Sequence, residues 1–294
     1  MTEDTMTDST PTSSTPAPGT PTDPIAPESA GTTVTATVRG IELGRARPEI
    51  IVPLVGDDHD AVLAQADAAL KTPARIIEWR IDRFRPDLED SEDHRDVVLA
   101  TLPALRAKLG PDKALLATVR TDAEGGSRRI RDLDLAVLLE ALMGSRRAGT
   151  QSQVDMIDIE TSRSPEIVAR VITTAHRNGV VVIGSFHDLE GTPDEAEIAE
   201  LLRSQRRLGA DVPKIAVTPR TARDVLTLLS ASLTVASERT GPHIAISMGT
   251  LGVASRVSAE SFGSAATFAT AGAASAPGQL GADDVARMLE LLRP

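Results

Sequence analysis

Residues 180–217 read VVVIGSFHDLEGTPDEAEIAELLRSQRRLGADVPKIAV. A short apolar, β-branched run (Val180–Phe186) gives way to a longer helical pattern over Thr192–Leu208, and a second apolar run, Pro213–Val217, closes the segment. Strand, helix and strand in that order make one parallel βα unit. The same alternation continues on both sides. Strands are expected at Glu49–Val55, Arg75–Phe84, Ala114–Arg120, Val154–Glu160, Val180–Phe186, Pro213–Val217, His243–Met248 and Ala265–Ala271. Helical stretches follow them, among them Asp58–Leu70, Asp132–Met143, Ser164–Asn178, Thr192–Leu208, Thr221–Ser232 and Ala282–Leu292, several opening on Asp, Ser or Thr that would cap the first turn. Eight such units close into a (β/α)8 TIM barrel. An open doubly wound sheet is the alternative, but IVPLVGDD at 51–58 stands where its GxGxxG phosphate turn would follow the first strand. Ahead of the barrel, Thr32–Val38 and Ile41–Leu43 flank Arg39 and Gly40 and read as a β-hairpin that plugs or flanks the main fold.

Composition agrees. The 294 residues are 41% hydrophobic but only 2% aromatic, so the core is built from Ala, Val, Leu and Ile, as suits helices packed on a parallel sheet. Residues 1–30 hold 8 Thr, 6 Pro, 4 Ser and 5 acidic residues with no basic one, and are expected to form a disordered tail ahead of a single catalytic domain over 31–294. That tail accounts for nearly half of the net charge of −11. An acidic chain argues against nucleic-acid binding, which needs clustered Lys and Arg, and points to a small-molecule partner. The absence of cysteine rules out a disulfide framework, a thiol nucleophile and a cysteine metal site. No apolar run approaches the ~20 residues that span a bilayer, and the opening MTEDTMTDST lacks the basic and apolar regions of a signal peptide, so a cytoplasmic protein without membrane contact is expected.

In such a barrel, reactive groups come from the carboxyl ends of the strands. Of the 4 lysines, Lys71, Lys108 and Lys113 fall in helix or loop contexts, whereas Lys214 opens the apolar strand KIAV. A desolvated lysine beside other cations loses its proton and attacks ketones, making Lys214 a candidate imine-forming nucleophile; the plain alternative is a strand-end lysine that snorkels to solvent. One strand earlier, SFHD places His187 to face it across the mouth as a general acid and base. His59, His94, His176 and His243 are read as surface residues. The stretch IIEWRID at 76–82 puts Glu78, Arg80 and Asp82 on one inward face, Arg120 ends the third strand, TDAEGG brings Glu124 to the mouth, and Arg256 follows the seventh strand. Three arginines around one mouth suit an anionic, hydroxyl-rich substrate, or else form an ion-pair network. The loop ASAPGQ at 274–279 has small hinge residues and two polar side chains able to close over a ligand. No HExxH, GxxxxGK[ST] or GxSxG motif is present, so the expected chemistry needs no metal or cofactor.

Seven ordered motifs then carry a resemblance: EWRID at 78–82, TVRT…EGG at 118–126, SFHD at 185–188, PKIAV at 213–217, SMG…SR at 247–256, FGSAATF at 262–268 and SAPGQ at 275–279. From about Arg47 to Leu292 the chain resembles the type I 3-dehydroquinate dehydratases, the imine-forming dehydroquinases of the shikimate pathway. The resemblance implies a (β/α)8 barrel with an amino-terminal hairpin, a homodimer, and conversion of 3-dehydroquinate to 3-dehydroshikimate. Lys214 would form the imine, His187 would move the protons and Glu124 would orient His187. Arg256, Ser275 and Gln279 would hold the substrate carboxylate, Glu78, Arg80 and Arg120 its hydroxyls, and Met248 would line the pocket. Leu189 and Glu190 depart from the aromatic residue that relatives often carry there, and the acidic tail is not a family feature. A class I aldolase shares barrel and lysine but needs a phosphate cradle that the loops after strands seven and eight do not suggest. A binding barrel without catalysis is the non-enzymatic alternative.

Overall fold

The computed structural model describes residues 1–2, 34–44, 47–144, 152–272 and 278–293. The expected disordered stretch 1–30 lies outside them apart from Met1 and Thr2. Two short strands, β1 (Ala36–Val38) and β2 (Ile41–Leu43), pair antiparallel. Arg39 and Gly40 between them take φ of +46° and +73°, the left-handed pair that a tight two-residue hairpin requires. The Arg39 side chain donates to Asp155 at 2.7 Å and to the Pro111 carbonyl at 3.1 Å, tying the turn to the barrel.

Eight parallel strands follow: β3 (Glu49–Leu54), β4 (Ile76–Arg80), β5 (Ala114–Thr118), β6 (Met156–Glu160), β7 (Val181–Asp188), β8 (Val212–Val217), β9 (Ile244–Ser247) and β10 (Ala266–Phe268). They pair in sequence order, and β10 returns to β3. The β9–β10 seam is closed by a single bridge. The Ala265 amide donates to the His243 carbonyl at 2.7 Å, and the Ser264 hydroxyl accepts from the Ala245 amide at 3.1 Å. Between the strands run α1 (His59–Ala69), α2 (Ser91–Leu109), α3 (Asp132–Met143), α4 (Pro165–Asn178), α5 (Glu195–Arg207), α6 (Ala222–Ser237), the short α7 (Val253–Val257) and α8 (Ala282–Leu291). The expected caps form at Asp58 and at Thr221, the latter as a reciprocal capping box with Asp224, whereas α5 is capped by Asp194 rather than Thr192 and Ser164 makes no side-chain cap bond.

Six expected strands are shorter than their sequence pattern, Ala114–Arg120 ending at Thr118 so that Arg120 lies just beyond it, and two are shortened most. Arg75–Phe84 yields β4 only to Arg80, because Ile81–Arg83 turns into a 3₁₀ segment that swings Asp82 back onto the Arg80 guanidinium in a two-point pair of 2.7 and 2.8 Å. Ala265–Ala271 yields only β10, whose far end leaves the sheet once Ala269 has bonded the Ile51 carbonyl. β7 runs the other way, continuing through His187 and Asp188.

The apolar residues of the hairpin (Ala36, Val38, Ile41 and Leu43) form one cluster with the first inward residues of the strands, such as Ile76, Ala114, Met156, Val212 and Ile244. The hairpin therefore plugs the amino-terminal mouth. Outward residues such as Ile77, Trp79, Leu115 and Ile157 pack against the helices instead. The cavity lined by Glu78, Arg80, His187 and Lys214 opens at the carboxyl ends of the strands.

Candidate active site

Period-two alternation places Glu78 and Arg80 of β4, Thr118 of β5, Asp158 and Glu160 of β6, Ser185 and His187 of β7 and Lys214 of β8 inside the barrel, above the apolar plug. Of these, Glu78, Arg80, Thr118, His187 and Lys214 line a cavity of about 220 Å³ that Met248, Arg256, Phe268 and Gln279 complete.

Lys214 is buried, with 5% of its side chain exposed. Its Nζ donates to Asp158 Oδ2 at 3.1 Å and lies 4.7 Å from the centre of the Phe268 ring. Snorkelling to solvent is thus ruled out, and the buried cation is compensated by a carboxylate that the sequence reading overlooked. The same carboxylate accepts from Arg120 at 2.8 Å and from the Ser185 hydroxyl at 2.6 Å. Burial alone would raise the Asp158 pKa, but Arg120 and Lys214 outweigh it and hold the carboxyl at about 2.

Arg120 is the hub of this layer. Its guanidinium donates to Asp158, to Glu160 at 3.0 Å, to Glu124 at 3.3 Å and to Ser185 at 3.0 Å. Burial opposes its charge, yet the three carboxylates prevail and its pKa is raised. Arg120 borders the cavity, but most of its donors are engaged within the protein. The ion-pair network and the substrate-facing arginine considered as alternatives therefore meet in one residue.

Glu124 sits in a 3₁₀ turn, Asp122–Glu124, that ends on Gly125 in the left-handed region at φ +80°. One carboxylate oxygen, Oε2, accepts from the His187 backbone N–H at 3.0 Å and from the ring Nδ1 at 2.8 Å. Oε1 accepts from the Ser162 hydroxyl. With Glu124 as acceptor, Nδ1 carries the ring proton and Nε2 is left with the lone pair. Burial, then the cations Arg120, Lys214 and Arg80, push the His187 pKa well below its ordinary value, so the ring is neutral. Burial likewise drives Glu124 up to about 7, against the pull of Arg120.

The remaining expected residues fall as follows. Glu78 borders the cavity and accepts from Thr118 at 2.8 Å. Asp82 does not line the cavity but braces the residues around it, also accepting the backbone N–H groups of Arg120 at 3.3 Å and Ser127 at 3.2 Å. Arg256 is 2% exposed, and burial lowers its pKa to about 10. Met248 and Gln279 line the cavity, whereas Ser275 lies outside the described residues. Leu189, where relatives often have an aromatic residue, stands at the cavity edge over Gly125, leaving no room there for a Cβ.

Two histidines read as surface residues are instead buried. His94 binds the Phe84 carbonyl at 2.9 Å and His243 the Ser232 hydroxyl at 2.8 Å, and burial lowers each to about pKa 4. Both are structural. Asp158, Glu160, Ser162 and Ser185 are the groups missed. The alternation in MIDIE at 156–160 carries the same inward-charge signal as IIEWRID, and that would have exposed the first two.

Comparison with known proteins places this geometry. Residues 50–294 match the family model described as type I 3-dehydroquinase. A 3-dehydroquinate dehydratase from Listeria innocua is 39% identical over 257 residues, covering 87% of this chain and 96% of that protein. A solved type I 3-dehydroquinate dehydratase from Clostridium difficile, described with covalently modified comenic acid, superposes with a TM-score of 0.81 at 34% identity, covering 89% of this chain and 99% of that one. The 3-dehydroquinate dehydratase of Geobacillus kaustophilus gives a TM-score of 0.80 at 35% identity, over 88% and 96% of the two chains. With the family match running over residues 50–294, the chain belongs to the type I 3-dehydroquinases.

Proposed function

We propose that the chain removes water from 3-dehydroquinate to give 3-dehydroshikimate, in the shikimate route to aromatic amino acids, through an imine on Lys214. The observation that carries this reading is the buried Lys214 amine and the His187 ring on one cavity, each held by its own carboxylate, Asp158 and Glu124. Attack on the ring ketone requires Nζ to release a proton, and the His187 lone pair on the same cavity is the base available to take it. That proton, relayed by His187, and a second one from the nitrogen pass to the carbonyl oxygen, which leaves as water, so that a protonated imine forms and the His187 ring is free to act as base again. Its positive nitrogen draws electrons from the neighbouring carbon, whose proton passes to His187 Nε2. The resulting enamine expels the hydroxyl one carbon further on, His187 returns the proton to it on the same face, and water then frees the product and restores the amine.

Glu124 keeps Nδ1–H aimed at itself, so Nε2 remains the acceptor throughout. Arg256 and Gln279, with Ser275, are assigned to the substrate carboxylate. A guanidinium already removed from water has less hydration to lose on binding an anion. Glu78 and Arg80 are assigned to the ring hydroxyls and Met248 to an apolar wall. Arg120 reaches the substrate side of its layer while organising the carboxylates behind it. A homodimer and a cytoplasmic location follow from the family resemblance. Among the described residues, no helix is long and apolar enough to cross a membrane.

Sodium borohydride added with 3-dehydroquinate tests the reading. Reduction should fix one ligand mass on Lys214, and Lys214→Ala should lose both trapping and turnover while keeping its fold by circular dichroism. An adduct on Lys71, Lys108 or Lys113 would overturn it.

A further inference from the structure

Glu124 is faced by Arg120 from the end of β5, by Asp158 and Glu160 from β6 and by His187 from β7. Arg120 favours its carboxylate form; the two neighbouring carboxylates, like burial, oppose it. One neutral side chain donor completes the set. The Ser162 hydroxyl bonds Oε1, the oxygen that His187 does not use.

Ser162 is held there by a braced turn between β6 and α4. On one side, the Thr161 amide and hydroxyl both donate to the Ser185 carbonyl, at 2.8 and 3.1 Å. On the other, the Arg163 guanidinium reaches the Ile130 carbonyl at 2.9 Å and Asp132 at 3.1 Å. The hydroxyl is thus presented to Glu124 by a backbone fixed at both neighbours, although the Ser162 residue itself is exposed to solvent.

We propose that Ser162 is a positioning residue that favours the ionised form of Glu124 and thereby sets the pH below which His187 stops working as the base. This rests on the reading of His187 and Glu124 given above. A donor to a carboxylate stabilises its charged form, so its removal favours the protonated acid. A protonated Glu124 no longer draws the Nδ1 proton toward itself, and the ring loses the arrangement that keeps Nε2 free.

The test compares Ser162→Ala, Ser162→Thr and parent enzyme in pH profiles of kcat and KM from pH 5 to 9. A ligand-free ¹³C-NMR titration of the Glu124 carboxyl, assigned with Glu124→Gln, accompanies them. Losing one hydrogen bond to a buried charge should move the acid limb of kcat up by about 0.5–1 pH unit in Ser162→Ala, leaving roughly a third to a tenth of parental turnover on that limb. Ser162→Thr should restore the limb, and KM should be little changed. An NMR midpoint unmoved by Ser162→Ala overturns the proposal whatever turnover does, as does a kcat reduced by the same factor at every pH. A midpoint that rises while the kinetic limb stays put overturns the link to catalysis and, with it, the assignment of His187 and Glu124 as the working pair, leaving only the effect on Glu124 ionisation.

Discussion

Replacing Asp158 by Asn removes one charge from the centre of the barrel and changes little in shape. The carboxylate is 3% exposed and accepts from Lys214, Arg120 and Ser185. Its pKa of about 2 against an ordinary 3.8 corresponds to roughly 2.5 kcal/mol of native-state preference for the ionised form, at ~1.4 kcal/mol per unit. An asparagine amide would also turn a donor toward Lys214 or Arg120. Breaking one partner out of a buried ionic cluster costs about 3–5 kcal/mol, so Asp158→Asn should lose about that much stability at neutral pH, or ~6–20 °C of thermal midpoint for a barrel of this size.

The sign with pH is fixed. A carboxyl whose folded pKa is depressed contributes in full above 3.8 and loses its contribution as pH falls toward about 2. The difference between parent and variant should therefore be constant from pH 8 to 5 and narrow below pH 4, the ionisation part being about half gone near pH 3. Guanidinium unfolding is readily followed because the 1 tryptophan of the chain, Trp79, is fully buried. A loss below about 1 kcal/mol at pH 7.5 would refute the reasoning, since the cluster would then not depend on the charge of Asp158.

Three further outcomes are expected. His187→Ala should still condense slowly with the ketone but lose at least ~10²–10⁴-fold in turnover, accumulating a covalent adduct that intact-protein mass spectrometry detects; near-normal turnover would move the base elsewhere. Ile41→Ala, at a hairpin position 1% exposed, should cost about 2–5 kcal/mol by denaturant titration with kcat little altered, because it opens a void in the plug at the mouth away from the site. Deleting residues 2–30 should leave activity and thermal midpoint nearly unchanged in a melting scan, since a Thr, Pro and Ser-rich acidic stretch buries little; a fall of several degrees would show that it docks.

By itself the sequence determined the barrel and the candidate reacting pair. Eight apolar runs separated by helical patterns leave few ways to bury two faces of a parallel sheet, and Lys214 and His187 stand out because a charged or titratable group inside such a run has few ordinary reasons to be there. Local chemistry also settled the hairpin turn at Arg39–Gly40 and the caps at Asp58 and Thr221. What spacing along one strand could not decide was pairing between strands. Asp158 is 56 residues from Lys214, Ser162 is 38 from Glu124, and Arg120 meets Ser185 across 65. Each contact depends on the register and closure of the sheet. For the same reason His94 and His243, polar in their local context, turned out to be buried: helix packing supplied the Phe84 carbonyl to one, and the side of α6 supplied the Ser232 hydroxyl to the other. Even the end of β4 was a tertiary decision. Asp82 leaves the strand because the Arg80 guanidinium and the backbone amides of Arg120 and Ser127 offer it more hydrogen bonds than a further ladder position would, and only the folded barrel brings the last two within reach.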